Sequence, residues 1–367
     1  MDVNGAELDN WIINPKQYVN RSIVLYGASD SGKSTIIKDL VYHLRDMATQ
    51  IFVFAPSDPS NGDYTESGTI PKPLVHYILD ATTLTNIWKR QEAFAAVYER
   101  VNDIHTLESL FKKLNLETVS RMLLAAERSM DERKEEVKDQ YLDKSMRTKK
   151  IKEIEKTFDD MRRLIYKRYI VDNRHKLARF PLTEEENFTL RFITFNPRLV
   201  IIFDDCATEF KKLRKEKCNV LDTLLYRGRH IYVTTFIACQ DDKNLDSDLR
   251  KNTFINVYTT PQCAMAFFNR AANSFDKETM RRADRATKEA FAVDNQKLIY
   301  VRKENKFYKF TATIRDSFEF GSPAIREFCK RIQNDGVNVA ADNMFIKYFQ
   351  PSRSGRSKID LSDELGA

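Results

Sequence analysis

The stretch from Ser22 to Leu40, SIVLYGASDSGKSTIIKDL, constrains this chain more than any other. Ile23, Val24, Leu25 and Tyr26 read as a short buried strand. Gly27 to Ser34 read as a loop, and from Lys33 onward Ile36, Ile37, Leu40, Val41 and Leu44 fall at helical spacing. The loop fits G-x-x-x-x-G-K-[ST] and lies between a strand and a helix, the context that motif requires. Gly27 and Gly32 let the backbone curl so that successive N–H groups cradle phosphate oxygens. The N-terminus of the helix adds its partial positive charge to that anion site. Lys33 is placed to reach the β- and γ-phosphates of a nucleotide, and the Ser34 hydroxyl to ligate Mg²⁺. Gly27, Ser29, Ser31, Gly32, Lys33, Ser34 and Thr35 are therefore the candidate ATP-binding residues. A mere strand–helix turn with a capping serine is the bland alternative, and a chance match is rare in a chain with ten glycines. Asp30 would repel phosphate if it pointed inward, so it is expected to face solvent or a neighbouring subunit.

Before this loop, residues 1–21 read as a lead-in anchored by Trp11, Ile12 and Ile13. After it, Ile51 to Ala55 form a second strand, followed by a Pro-, Ser- and Gly-rich loop from Pro56 to Pro73. Such a loop beyond a strand's C-terminal end often borders the ligand crevice of an open α/β sheet. Between Leu84 and Ala178 glycine and proline are absent and Lys, Arg, Glu and Leu dominate, so long helices are expected. Ile151, Ile154, Phe158, Met161 and Ile165 step by three and four, the seam of a helical hairpin or short coiled coil. From Lys144 to Arg179 there are thirteen Lys/Arg against five Asp/Glu, an excess larger than the +7 of the whole chain. That segment reads either as an arm tracking a phosphate backbone or as an ordinary solvated helix face.

Leu199 to Phe203 is a third buried strand, and it ends in Asp204 and Asp205. Asp204 is the candidate Mg²⁺ ligand, and Asp205 is placed to orient or deprotonate the attacking water. Two acids capping the next helix, with Asp205 or Thr208 as N-cap, is the competing reading. A helix from Glu209 to Arg227 leads through Gly228, Arg229 and His230 to a fourth strand, Ile231 to Cys239, with Gln240 at its tip as a candidate sensor of the γ-phosphate. Leu245 to Asn252 precedes a fifth strand, Phe254 to Tyr258. Arg229 and Arg250, exposed-looking arginines near strand ends, are the candidate arginine fingers across a subunit interface, with an ordinary surface salt bridge as the competing reading of each. Ala264 to Ala290 reads as helical, Leu298 to Thr313 as an edge hairpin around Glu304, Asn305 and Lys306, and Pro323 opens a last amphipathic helix. The tail from Gln350 is Ser/Gly-rich and expected to be disordered.

The five cysteines are scattered without C-x-x-C spacing, which argues for reduced thiols in an intracellular setting and against a zinc site. The polar N-terminus is not a secretory signal, and no run approaches the roughly eighteen apolar residues that span a bilayer.

Taken in order, GASDSGKST, LVIIFDD, RGRHIYVTTFIACQ and LRKN resemble the poxvirus-type DNA-packaging ATPases of the nucleocytoplasmic large DNA viruses, a branch of the FtsK/HerA superfamily of P-loop ATPases. The likeness covers roughly half the chain. It implies a RecA-like α/β core with a mainly parallel sheet; in this chain the two halves of that core are expected at 1–82 and 196–316, on either side of a basic helical insert (83–195) longer than the family core needs. A helical cap (317–349) and the tail (350–367) complete the expected domains. It also implies ATP and Mg²⁺ as cofactors and a homo-oligomeric ring, a hexamer, threading double-stranded DNA. Capsid or portal components are the implied docking partners, in the host cytoplasm at the assembly site and in the virion. Lys33 and Ser34 then take the phosphate-loop roles, Asp204 the metal, Asp205 the water and Gln240 the sensor. Many members of the superfamily carry Glu where this chain has Asp205. A helicase or remodelling ATPase on the same core, a small-molecule kinase and an inactive scaffold are the other readings.

Overall fold

Continuous apolar runs build the centre of the molecule. The computed structural model describes residues 8–334 other than 67, 142, 316 and 317, and its eight strands form one sheet. They are β1 (Ser22–Tyr26), β2 (Gln50–Phe54), β3 (Val75–His76), β4 (Leu199–Asp204), β5 (Val233–Cys239), β6 (Ile255–Tyr258), β7 (Lys297–Val301) and β8 (Lys306–Phe310). Across the sheet the order is β3-β2-β4-β5-β1-β6-β7-β8. The first six of that order run parallel, and β7 and β8 add an antiparallel edge. Every residue of β1, β2, β4, β5 and β6 is buried, as parallel strands covered on both faces demand. This is the α/β sheet expected of a P-loop NTPase core.

Register positions the chemistry. Tyr26 pairs with Cys239, and Asp204 pairs with Ala238. The residues that follow these strand ends, Gly27, Gln240 and Asp205, therefore emerge side by side from β1, β5 and β4. The Gly27 N–H donates to the Cys239 carbonyl at 3.0 Å, which locks the start of the loop to the tip of β5. The helix Lys33–Leu44 buries Ile36, Ile37, Leu40, Val41 and Leu44, as its spacing predicts.

Several expectations are corrected. Trp11 is buried and packs edge-on against Phe310, but Ile12 is 82 % exposed, so the lead-in is anchored by the indole. The fourth strand starts at Val233, because Gly228–Ile231 form a 3-10 turn and Tyr232 takes a left-handed φ of 63°. The stretch expected as one helix from Ala264 breaks into Pro261–Asn269 and Lys277–Ala290. The break holds Asn273, whose buried amide donates to the Phe267 carbonyl and whose oxygen takes a bond from Arg250. Neither Asp205 nor Thr208 caps the helix Ala207–Lys215, whose N-cap is Cys206; the Cys206 thiol makes no capping bond and donates instead to the Phe54 carbonyl at 3.2 Å. The two-residue strand β3 was not anticipated. The tail from Gln350 lies outside the described residues, as does the cap beyond Asn334.

The chain divides into two compact units, one made of residues up to 95 and from 196 onward, the other of residues 96–195. The first holds the sheet. The second is helical. Leu107, Leu110, Phe111, Tyr166, Ile170, Leu177, Leu190 and Ile193 form its core. Glu186 closes a capping box with Thr183 and takes the Lys113 ammonium at 2.6 Å. Helices Glu117–Gln140 and Lys144–Asp172 pack as a hairpin, with Ile151, Ile154, Phe158, Met161 and Ile165 half-buried along the seam. Glu117–Gln140 buries no residue, whereas Lys144–Asp172 buries Tyr166 and Ile170 in the core of the unit. Among the described residues no helix is long and apolar enough to cross a membrane.

Candidate active site

The phosphate loop has the conformation its glycines require. Gly32, the N-cap of the helix, has φ 87°, a left-handed value that glycine alone adopts without cost. A β-carbon on Gly27 would stand 1.7 Å from Thr259 Oγ1 and 2.5 Å from Ser31 Oγ, so close packing of β6 behind the loop excludes any side chain there. Thr259 Oγ1 donates to Ser31 Oγ at 2.8 Å, and Ser31 Oγ donates to the Ala28 carbonyl at 2.7 Å. Ser31 thus shapes the loop. Among the described residues, no acceptor in the chain takes the N–H groups of Ala28 to Gly32. A row of free donors at a helix N-terminus is an anion nest. Lys33 Nζ lies over it, donating to the carbonyls of Gly27 and Ala28 at 2.9 and 2.6 Å.

A cleft of about 290 Å³ opens at this point, at the C-terminal ends of β4, β5 and β1. Ser29, Gly32, Lys33, Ser34 and Thr35 line it from the loop, and Asp204, Asp205 and Gln240 from the two strand tips. The residues brought together from distant parts of the sequence are therefore those expected. Asp30 is exposed, in a left-handed turn with φ 58°, at the rim of the same cleft. Ser34 Oγ is 3.3 Å from Asp204 Oδ2. Burial pushes the Asp204 carboxyl above its ordinary range, against the pull of the Tyr64 hydroxyl, the Lys33 charge and the Ser34 bond. Asp205 is exposed, has φ 55°, and takes a bond from Gln240 Nε2 at 3.3 Å. Clustered hard oxygen donors beside a phosphate cradle suit Mg²⁺.

Three contributors were missed, all from the loop after β2. The Tyr64 hydroxyl, buried, donates to Asp204 Oδ2 at 2.7 Å. Ser34 Oγ also donates to Asp63 Oδ2 at 3.2 Å. Buried Asp58 holds the turn, accepting from the Tyr64 N–H and the Thr65 hydroxyl, each at 2.7 Å. The loop's position beyond a strand end was the available signal, but no spacing rule singled out Asp63 or Tyr64.

The two arginines part company. Arg250 is 5 % exposed, which corrects its reading as an exposed side chain. Its guanidinium donates to Asn273 Oδ1 at 2.8 Å and to the carbonyls of Asp242 and Leu245, both at 2.7 Å. It clamps the loop that follows Gln240, which Arg270 also holds through the Asp242 carboxylate at 2.6 Å. Arg250→Ala strands three buried acceptors, and a loss of about 3 kcal/mol is expected in a denaturant titration. A loss under about 0.5 kcal/mol, the usual range for surface positions, would contradict the clamp. Arg229 is exposed at the N-terminal end of β5, remote from Gln240 at the other end. It lines a second cleft of about 310 Å³ with Arg21, Lys251, Arg302 and Lys303. Among the described residues none of these five cations has an ion-pair partner, and no carboxylate lines the cleft.

No protein-family model matches the chain. The chain is 31 % identical over 349 residues to the B354L protein of African swine fever virus (isolate Pig/Kenya/KEN-50/1950), covering 91 % of this chain and 94 % of that protein. It is 35 % identical over 92 residues to the L437 protein of Acanthamoeba polyphaga mimivirus, covering 25 % of this chain and 31 % of that one. Among solved structures it is similar to the genome packaging NTPase B204 from Sulfolobus turreted icosahedral virus 2 in complex with ATP-gammaS. That likeness has a TM-score of 0.35 at 12 % identity, covering 83 % of this chain and 100 % of the other.

Proposed function

The chain belongs to the same family as the B354L protein of African swine fever virus, and from that premise we propose that it is a Mg²⁺-dependent ATPase that drives double-stranded DNA into a viral capsid as a homo-oligomeric ring. One observation carries the reading: Lys33, Ser34, Asp204, Asp205 and Gln240 line one cleft at neighbouring strand tips. The triphosphate lies on the free N–H groups of the loop, and Lys33 swings from the loop carbonyls to the β- and γ-phosphates. Ser34 and Asp204 would hold Mg²⁺, which would supply positive charge beside the transferring phosphoryl group. Asp205 orients the attacking water and takes its proton. Gln240, bonded to Asp205, passes the loss of the γ-phosphate to the loop that Arg250 clamps.

The cleft's own electrostatics support a ring. Lys33 is the one cation among its described lining residues, against Asp30, Asp63, Asp204 and Asp205. A transition state rich in negative charge needs cations from outside, and an exposed arginine on the next subunit supplies one. Head-to-tail contacts of this kind form a ring where the rotation between subunits closes. Arg229, exposed in a cleft of unpaired cations, is the finger, and buried Arg250 is not. Mixing wild-type with Arg229→Ala subunits is expected to depress the ATPase rate below the linear dilution line, whereas a linear fall would place the finger elsewhere.

The basic helix Lys144–Asp172 grips the duplex. Lys144, Lys149, Lys152, Lys156 and Arg168 have no ion-pair partner among the described residues. Duplex DNA is expected to stimulate the ATPase at least several-fold at low salt. The stimulation fades as salt rises, since phosphate contacts release counterions. Equal rates with and without duplex overturn the translocase, and preference for single strands favours a helicase. The setting proposed is the assembly site in the host cytoplasm and the virion, with capsid or portal components as the docking partner.

A further inference from the structure

The loop after β2 reaches into the phosphate site, although no motif marks it. Ser34 Oγ stands between two carboxylates, 3.3 Å from Asp204 Oδ2 and 3.2 Å from Asp63 Oδ2. Mg²⁺ keeps most of its water and is commonly held through one or two carboxylates beside substrate phosphates. Asp63 is half-buried, and among the described residues its other side-chain partner is the Asn61 amide at 3.0 Å. A carboxylate facing bound phosphate would weaken nucleotide binding unless a cation lay between them. Tyr64 is 1 % exposed, its hydroxyl fixed on the same Asp204 oxygen that meets Ser34. Asp58, buried at the base of the turn, holds the Tyr64 N–H and the Thr65 hydroxyl, so the turn is built to present both side chains.

We propose that Asp63 is a second carboxylate of the metal site, acting through the ion's water shell, and that Tyr64 is a positioning residue that aims Asp204 at it. The inference rests on the nucleotide-site reading above, since the site is defined by the phosphate loop and the two acids only complete it. It makes the metal's grip depend on a loop from β2 that lies beside the cleft, so movement of that loop changes metal affinity without touching the phosphate cradle.

The test uses the full chain, with Mn²⁺ as the probe and a non-hydrolysable ATP analogue at saturation, free Mn²⁺ being read by its electron paramagnetic resonance signal. Asp63→Asn is expected to weaken Mn²⁺ binding by about tenfold or more, the usual effect of losing an outer partner of a metal site. In EDTA the same variant binds the analogue as tightly as wild type or more tightly, because one carboxylate has left the phosphates' surroundings. Asp63→Glu is expected to restore part of the Mn²⁺ affinity, and Tyr64→Phe to weaken it with metal-free binding unchanged. Mn²⁺ affinity within twofold of wild type in Asp63→Asn overturns the ligand role, and the same result in Tyr64→Phe overturns the positioning role. A lower unfolding temperature with unchanged Mn²⁺ affinity reduces Asp63 to a turn residue bonded to Asn61. Wild-type protein that binds no analogue at all removes the nucleotide site itself, an outcome separate from those of the variants.

Discussion

Replacing Lys33 with alanine is expected to cut ATP turnover by about 10³-fold while leaving the fold intact. The size follows from the charges on the cleft wall. Lys33 alone faces four carboxylates there among the described residues, so its removal leaves the triphosphate in a wholly negative pocket. An ammonium about 4 Å from a phosphate charge is worth about 4 kcal/mol near a protein surface, which is about three decades in rate. The fold should not suffer, because Lys33 is half-buried and its side-chain bonds among the described residues are to the carbonyls of its own loop. Phosphate release and a thermal melt check both halves. Arginine at this position should not rescue, because its planar fork cannot sit on the Gly27 and Ala28 carbonyls as a compact ammonium does. Turnover within tenfold of wild type in Lys33→Ala would mean that the nest is not a catalytic phosphate site.

Much of this site was legible in the sequence, for a physical reason. A phosphate loop needs glycines at fixed offsets, because Gly32 must be left-handed and Gly27 must clear Thr259. Parallel strands buried on both faces must be unbroken apolar runs, so LVIIF and the run ending in Cys239 announced β4 and β5, and the polar residues after them fell at strand tips. The missing parts lack a period or a fixed offset. Asp63 and Tyr64 reach Ser34 and Asp204 through a turn braced by buried Asp58, and a turn of that kind has no repeat to recognise. Arg250 misled because its neighbours Lys251 and Asn252 are exposed, whereas its own guanidinium answers carbonyls at Asp242 and Leu245 and the amide of Asn273. β3, two residues long, lies below the length at which alternation or an apolar run can be told from chance.

The second large effect lies at Asp205, where chemistry and backbone oppose one another. Asp205→Asn is expected to lower turnover by about 10³-fold, at the middle of the range for a general base, with analogue and Mn²⁺ binding unchanged. Asparagine keeps the volume, tolerates the left-handed φ of 55°, and its oxygen can still accept from Gln240, so the substitution isolates the negative charge. Asp205→Gly should be equally inactive but more stable, because a residue with a β-carbon in the left-handed region costs about 1 kcal/mol that glycine does not incur. Asp205→Glu keeps the charge, but it is less suited to this φ and carries the carboxylate one methylene beyond Gln240, so an intermediate rate is expected. Single-turnover hydrolysis and a denaturant titration of the three variants separate the two effects. If Asp205→Asn turns over within tenfold of wild type, the aspartate is there only because it tolerates the turn, and the water must be activated by another group. If Asp205→Gly is no more stable than wild type, the strained backbone is held by neighbours that glycine loosens. The pairing of lower rate with higher stability is the signature expected of a residue kept for its charge in a conformation the chain would otherwise avoid.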